Sequence, residues 1–200
     1  LVGALGAAGL VYLISMAQGG MTPLRLVLSG VVLSAAFSAL ASFLVFRSSD
    51  PRAAQSVLYW MLGSVAGATW DSLWVAAIVT ALSAVLMIAF SGWLDALSAG
   101  TDVARSLGIP DTKVRKALFV GNSVLVGVLV AVSGGIGFVG LVIPHMSRLL
   151  VGASHRSMVP VAAAIGSLFL LWVDVGARVI AAPQEVPLGV VTGFIGAPIF

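Results

Sequence analysis

The chain has 200 residues, of which 60% are hydrophobic and only 8% are charged. A water-soluble domain has about a quarter of its residues charged, so a fold with this composition must turn most of its surface toward lipid. The net charge of +3 does not indicate nucleic acid, because the ten Lys and Arg residues form no basic stripe. The absence of cysteine excludes disulfides, thiolate metal sites and cysteine nucleophiles.

The apolar runs predict a bundle of membrane-spanning helices, because about 20 apolar residues cross about 30 Å of hydrocarbon. Breaks at Gln18-Gly19-Gly20, at Ser48–Pro51 and at the 133–137 Ser-Gly-Gly-Ile-Gly segment separate the runs. Residues 53–62 predict a helix too short to cross, and residues 183–187 predict a turn. The seven predicted spans are residues 1–17, 24–46, 72–90, 117–132, 138–151, 158–180 and 188–200.

The chain begins and ends inside apolar runs, without an initiator Met or a visible cleavage site. We therefore expect one transmembrane domain over residues 1–200 that is a fragment, with the first and last spans incomplete. The fold class expected from these runs is an all-α polytopic bundle.

Residues 95–116 form the only long polar stretch and predict a loop that holds a small helix. Thr101 is its expected N-cap, Asp102 lies in its first turn, and Gly108 follows its end. Val103, Ala104 and Leu107 are expected to share one apolar face of this helix.

The distribution of basic residues predicts the orientation in the cytoplasmic membrane. If residues 95–116 are cytoplasmic, alternation of the spans places seven of the ten basic residues inside and three outside. The inner set is Arg25, Arg105, Lys113, Arg115, Lys116, Arg148 and Arg156. The outer set is Arg47, Arg52 and Arg178.

The sequence predicts neither an enzyme nor a cofactor site. Lys113 is followed by Val and Lys116 by Ala, so a phosphate-binding loop is excluded and any ATPase must be a separate subunit. His145 and His155 have no Asp or Glu near them in the sequence, and we expect no metal role.

Asp174 and Arg178 are four residues apart on one predicted helix and can pair. Such a pair either locks helix packing or serves function, since charge within a membrane is costly. It lies near the outer end of its span, where a docking protein could reach it. Glycines four apart, as in Gly63/Gly67 and Gly189/Gly193, and the glycine cluster at 134–140 predict close helix packing.

Two stretches resemble the permease family of type II ABC importers, which carry iron-siderophores, haem and cobalamin. The stronger, GFVGLVIPHMSR at residues 137–148, is similar to the start of that family's C-terminal signature. The likeness includes Gly137, Gly140, Pro144, His145 and Arg148, then Gly152, His155, Arg156, Asp174, Ala177, Arg178, the 185–192 segment and Gly196–Pro198. The second comprises YWMLGS at 59–64, Gly67, Trp70 and the 102–108 loop.

The resemblance implies partners and roles, and it implies that about the first third of a ten-helix permease precedes this chain. Residues 95–116 would dock on a pair of cytoplasmic ABC ATPase subunits, through the apolar face and the polar contact of Arg105. A second permease copy or paralogue would complete a pathway lined by residues 24–46 and 188–200. The turn Gly20-Met21-Thr22-Pro23 matches the inner gate. Arg47, Arg52 and Arg178 would receive acidic residues of an extracytoplasmic substrate-binding protein.

The expected activity is import of an iron(III)-siderophore, with cobalamin or haem as alternatives. A secondary transporter coupled to protons or sodium is less favoured, because it needs acidic or His residues near mid-membrane. Here Asp71, Asp95, Asp174 and Glu185 all fall near span ends. A non-transporting assembly subunit is the other alternative.

Overall fold

The structure is a computed structural model that describes residues 2–17, 22–180 and 186–199. Within these ranges the chain is helical and contains no strand, which confirms the predicted all-α bundle. In chain order the helices are α1 Val2–Ala17, α2 Pro23–Arg47, α3 Pro51–Leu62, α4 Trp70–Ala89, α5 Ser91–Ala99, α6 Thr101–Ser106, α7 Asp111–Ser133, α8 Val139–Val151, α9 His155–Ile180 and α10 Leu188–Gly196, followed by the 3₁₀ turn Ala197–Ile199.

Four of the described helices, α2, α4, α7 and α9, are long and apolar enough to cross a membrane. The predicted spans at 1–17 and 138–151 are the shorter apolar helices α1 and α8. With 13 residues, α8 is about 20 Å long at 1.5 Å per residue and cannot cross alone. Large apolar side chains face outward along these helices, among them Phe46 at 88% and Trp172 at 70% exposed.

The long helices pack around α7 and α9. Helix α4 contacts both, α1 contacts α2 and α7, and α8 and α10 lie against α9. The face of α8 toward the bundle carries the buried Val142, Ile143 and Ser147. The Ser147 hydroxyl donates to the Ile143 carbonyl at 2.7 Å, so this buried polar group is satisfied within its own helix.

Helix α7 defines two ends of the bundle, about 34 Å apart for its 23 residues. Helices α5 and α6 and the start of α9 lie at its N-terminal end. At its C-terminal end, Ser133 accepts from the Ser64 N–H at 2.8 Å and Gly63 accepts from the Leu188 N–H at 2.9 Å. The loops that alternation assigns to one side of the membrane are thus neighbours in space.

The polar stretch differs most from its prediction. Residues 91–99 form α5, and α7 begins at Asp111, six residues before the predicted span. The predicted N-cap at Thr101 is wrong by one residue. Gly100 is the N-cap with φ 129°, a backbone conformation that suits glycine, so Thr101 is already helical and makes no side-chain cap bond.

The chain near residues 183–187 is described only from Val186 onward, so most of the predicted turn lies outside the described residues. The Val186 N–H donates to the Ala177 carbonyl at 3.2 Å. Helix α10 ends at Gly196 and tightens into the 3₁₀ turn, so the predicted run at 188–200 is helical over a shorter length.

Candidate functional site

Helices α5 and α6 fold with the start of α7 into a small body, which we call the α5–α6 unit (residues 91–111). Its centre is formed by Ala96, Ala104 and Ile109, against which Leu97 and Val114 pack. Gly100 and Gly108 allow the two turns, since both have positive φ, 129° and 73°. The predicted position of Gly108 just past the helix is confirmed. The unit is therefore a folded element rather than a solvated connector.

The predicted apolar face of α6 is divided between the inside and the outside of the unit. Ala104 is fully buried, whereas Val103 is 43% and Leu107 66% exposed. The prediction that Ala104 shares a contact face with them is wrong, because α5 packs over Ala104. The exposed apolar contact surface is Val103 and Leu107, with the exposed Asp102 beside them.

Arg105 was predicted to be a polar contact for a partner. Its guanidinium bonds to Asp111 of the same chain, with Nε to Oδ1 at 3.4 Å and Nη2 to Oδ2 at 3.3 Å. The Arg105 side chain is nevertheless 63% exposed. It therefore closes the loop between α6 and α7 and still presents charge to solvent.

Asp95 of α5 contacts the first residues of α9. Its Oδ1 accepts from the His155 N–H at 2.9 Å and lies within hydrogen-bond distance of the His155 Nδ1, and its Oδ2 accepts from the Ser154 hydroxyl at 3.3 Å. The His155 backbone bond, followed by the bond to its imidazole, holds the pKa of the Asp95 carboxyl below its ordinary value. His155 has no Asp or Glu near it in the sequence, and the fold brings Asp95 into contact with it.

The predicted gate lies partly outside the described residues, which exclude Gly20 and Met21. Thr22 is the N-cap of α2, and its hydroxyl accepts from the Arg25 N–H at 3.4 Å. Pro23 is the first helical residue, a position that suits its missing N–H. The turn therefore restarts the chain as a long helix.

The three outer arginines have different surroundings. Arg47 is the exposed last residue of α2, and Arg52 is exposed in the first turn of α3, where its backbone N–H donates to the capping Asp50 at 2.9 Å. Arg178 donates from Nε to Asp174 Oδ2 at 2.9 Å, which confirms the predicted pair. Arg178 is thus already partnered within this chain.

At the other end of α7 the ends of α3 and α7 and the start of α10 meet at four glycines, Gly63, Gly134, Gly135 and Gly189, which we call the glycine junction. A Cβ at Gly63 would lie 2.6 Å from the Gly135 carbonyl oxygen. A Cβ at Gly134 would overlap the Trp60 carbonyl oxygen, and one at Gly189 would overlap that of Leu62. Backbone contact therefore leaves no room for a side chain at Gly63, Gly134 and Gly189, and at Gly135 a Cβ would be in tight contact, 3.2 Å from the Met61 carbonyl oxygen.

The predicted close packing holds for only some of the glycines. Gly67, Gly137 and Gly140 have open space where a Cβ would stand, and Gly193 has only an ordinary contact, 3.8 Å from Phe138. The remaining motif residues lie along α8 and α9. Pro144 and His145 are inside α8, Arg148 is in its last turn, and Asp174 is in α9. These two helices pack against each other.

Sequence reasoning missed the Asp95–His155 contact because the two residues are 60 positions apart. One signal was available, since alternation of the spans places both residues on the same side of the membrane. Among the residues that the structure describes, no group of three His, Asp or Glu side chains is arranged to hold a metal ion.

Comparison with known proteins gives one consistent family. The FecCD transport family matches residues 1–200. The chain is 36% identical over 198 residues to the Fe(3+)-citrate import system permease protein YfmD of Bacillus subtilis, covering 99% of this chain and 58% of that protein. It is 37% identical over 198 residues to the cobalamin import system permease protein BtuC of Halobacterium salinarum, covering 99% of this chain and 53% of that protein.

A solved structure also matches, an inward-facing conformation of a metal-chelate type ABC transporter. The TM-score is 0.88 at 36% identity, over 98% of this chain and 62% of that one. This chain thus spans less than two thirds of the length of each of these relatives. With its lipid-facing helices, it is a multi-pass protein of the cytoplasmic membrane. The chain belongs to the FecCD transport family, the permeases of type II ABC importers.

Proposed function

We propose that this chain is the membrane-spanning part of a permease subunit that imports an iron(III)-siderophore, driven by ATP hydrolysis on separate partner subunits. The observation that carries the proposal is the exposed apolar surface of Val103 and Leu107, placed on a folded unit at one end of a chain from this family. The permease itself catalyses no reaction. It changes between inward-open and outward-open states.

The α5–α6 unit suits docking on a pair of cytoplasmic ABC ATPase subunits. Its buried Ala104 packs α6 against α5, so Leu107 and Val103 keep a fixed place on the surface of the unit. Leu107 is 66% exposed, and its burial against a partner would lower the free energy of the complex. Thr101, Asp102 and Arg105 supply polar groups around that contact. Gly108 forms the turn that follows α6.

The other roles are part of the same proposal and rest on membership of the FecCD family. A second permease copy or paralogue completes a pathway lined by α2 and α10, with the inner gate at Gly20-Met21-Thr22-Pro23. A substrate-binding protein docks outside on Arg47 and Arg52 through carboxylates. Arg178 contributes less, because an incoming carboxylate must compete with Asp174 at 2.9 Å. The α5–α6 unit belongs to the single domain of residues 1–200.

Reconstitution tests the substrate. The complete permease is assembled with its ATPase and its binding protein in proteoliposomes, and ATP hydrolysis is measured with the binding protein empty or loaded. We expect loading with a ferric siderophore to stimulate hydrolysis, whereas cobalamin should not. Stimulation by cobalamin alone would favour the second candidate, which the 37% identity to a cobalamin permease supports.

A substitution in the unit tests the docking surface. Leu107→Asp is expected to abolish co-purification of the ATPase while membrane insertion is unchanged, because the site is exposed in the permease alone. Leu107→Met is the matched control and should retain the ATPase, since it keeps an apolar side chain of similar volume. Normal assembly of the Asp variant would remove this surface from the interface.

A further inference from the structure

Asp95 closes the end of α9 from a distant part of the chain. The first N–H groups of a helix have no partner within it, and a carboxylate there also interacts favourably with the helix dipole. At the start of α9 the carboxylate comes from α5, 60 residues earlier, and it binds the His155 N–H at 2.9 Å and the Ser154 hydroxyl at 3.3 Å. The chain therefore joins α9 to α5 by side-chain hydrogen bonds.

The carboxylate is fixed on its own side as well. Asp95 precedes Ala96, which lies in the centre of the α5–α6 unit with Ala104 and Ile109. Helix α5 also packs against α9 directly. A displacement of the unit therefore moves Asp95, whose hydrogen bonds act on His155 and Ser154 at the start of α9, in addition to the covalent links of the unit to α4 and α7.

Helix α9 extends from this contact to the opposite end of the bundle. Its 26 residues cover about 39 Å. Near its far end Val173 and Ala177 pack against Leu188, the first residue of α10. The Ala177 carbonyl accepts from the Val186 N–H at 3.2 Å. Helix α9 is thus held at its first residues by Asp95 and near its far end by the start of α10, beside the glycine junction.

We propose that Asp95 is a positioning residue that makes α9 move together with the α5–α6 unit during transport. This inference rests on the proposed function, in which an ATPase moves the unit. In this role Asp95 acts through His155 and Ser154 and requires no contact of its own with the ATPase or the substrate. A carboxylate that serves only as a helix cap would instead affect the amount of folded permease and leave coupling unchanged.

The first test measures substrate transported per ATP hydrolysed, in proteoliposomes that contain the complete permease, its ATPase and its loaded binding protein. Asp95→Ala is expected to keep ATPase association and hydrolysis and to lower the ratio about tenfold, since a hydrogen bond to a charged group is worth about that factor. Asp95→Asn should recover part of the ratio, because its carbonyl oxygen still accepts from the His155 N–H. Asp71→Ala, the same change at an exposed position near the opposite end of α4, is expected to match the wild type.

The outcomes separate this inference from the function on which it rests. An unchanged ratio in Asp95→Ala, whether or not its yield falls, overturns the role of Asp95 and leaves the importer intact. Failure of the wild-type complex to couple hydrolysis to uptake of any loaded chelate overturns the proposed function instead.

A reversible cross-link tests the same proposal if the Asp95→Ala variant is too unstable to assay. Residues 1–200 contain no cysteine, so Asp95→Cys with Ser154→Cys introduces the only pair of thiols within this part of the permease. A short bifunctional reagent attached through disulfides bridges the pair, and reduction releases it. We expect transport per ATP to be low in the reduced form and to return toward the wild-type value on bridging. A ratio that bridging does not raise would overturn the proposal.

Discussion

The two ends of α7 are held by different kinds of contact. At the glycine junction, carbonyl groups of Trp60, Leu62 and Gly135 stand where a neighbouring glycine would carry its Cβ. At the α5–α6 unit the contacts are made by side chains, with Asp95 bonded to His155 and Arg105 bonded to Asp111. One end is held by backbone packing and the other by exchangeable polar bonds.

This difference teaches where the molecule can change shape. Backbone packing has few alternative arrangements, because any displacement leaves voids or overlaps at close-packed density. An exposed bond such as Arg105–Asp111 can be replaced by bonds to water at little cost, and the part-buried Asp95–His155 contact at a larger one. We therefore expect the glycine junction to act as the fixed end of the bundle and the α5–α6 unit as the end that responds to a partner.

The largest expected loss of stability is at the glycine junction. Gly134 has φ 68° and ψ −166°, and its Cβ would overlap the Trp60 carbonyl oxygen. Gly134→Ala should lower the free energy of unfolding by about 3 kcal/mol or more, because backbone conformation and overlap each cost about 1–3 kcal/mol. Unfolding by denaturing detergent in mixed micelles measures it.

Gly140→Ala is the matched control for this change. Gly140 lies in α8 with open space at the Cβ position, so alanine should be neutral or stabilising through its helix propensity. Equal losses in the two variants would show that glycine is required along this segment for another reason than backbone contact at the junction.

A smaller loss is expected at Gly189, the second residue of α10, because its φ is not positive. Its Cβ would overlap the Leu62 carbonyl oxygen, and overpacking of this kind costs about 1–3 kcal/mol. Gly189→Ala should therefore destabilise the protein less than Gly134→Ala. Gly193→Ala, one turn later and 3.8 Å from Phe138, should be tolerated. The thermal midpoint in detergent, read by aggregation, ranks the three variants, and a reversed order would contradict the assignment of strain to Gly134.

At the glycine junction the sequence predicts the helix boundaries but not which glycines contact a neighbouring backbone. Apolar run length and glycine breaks determine where helices begin and end, so the break at residues 133–137 and the helix at 139–151 were predictable. Which glycine of a pair meets a neighbouring backbone depends on helix rotation and crossing, which spacing alone does not specify. Gly63 is therefore in contact and Gly67 is open, although both fit the same pattern.

The α5–α6 unit shows what local patterning omits. Helical spacing places Val103, Ala104 and Leu107 on one side of α6, and only the packing of α5 decides that Ala104 is covered. The Asp95–His155 bond depends on two loops that meet because the spans between them alternate in direction. Sequence predicts that both loops lie on the same side, and the structure supplies the contact.

Low pH should weaken the contacts of the α5–α6 unit before those of the glycine junction. The hydrogen bonds from His155 lower the pKa of Asp95 in the folded protein, so the carboxylate stabilises the fold above its unfolded pKa, about 3.9. That contribution is lost as the pH falls through the lower folded value. The stability difference between the wild type and Asp95→Asn should therefore be constant near neutral pH and shrink below about pH 4. A difference that grows in acid would contradict the assigned direction.

The smallest expected effect is at the Arg105–Asp111 pair. The guanidinium is 63% exposed, and exposed ion pairs contribute about 0.2–1 kcal/mol. Arg105→Ala and Asp111→Asn should each cost no more than about that amount, and the double variant should cost less than the sum because one bond is removed by either change. The coupling energy should fall further at high salt, since both groups meet solvent. A coupling energy above about 2 kcal/mol would mean that the Arg105–Asp111 pair is a rigid contact, and the α5–α6 unit would then not differ from the glycine junction in this respect.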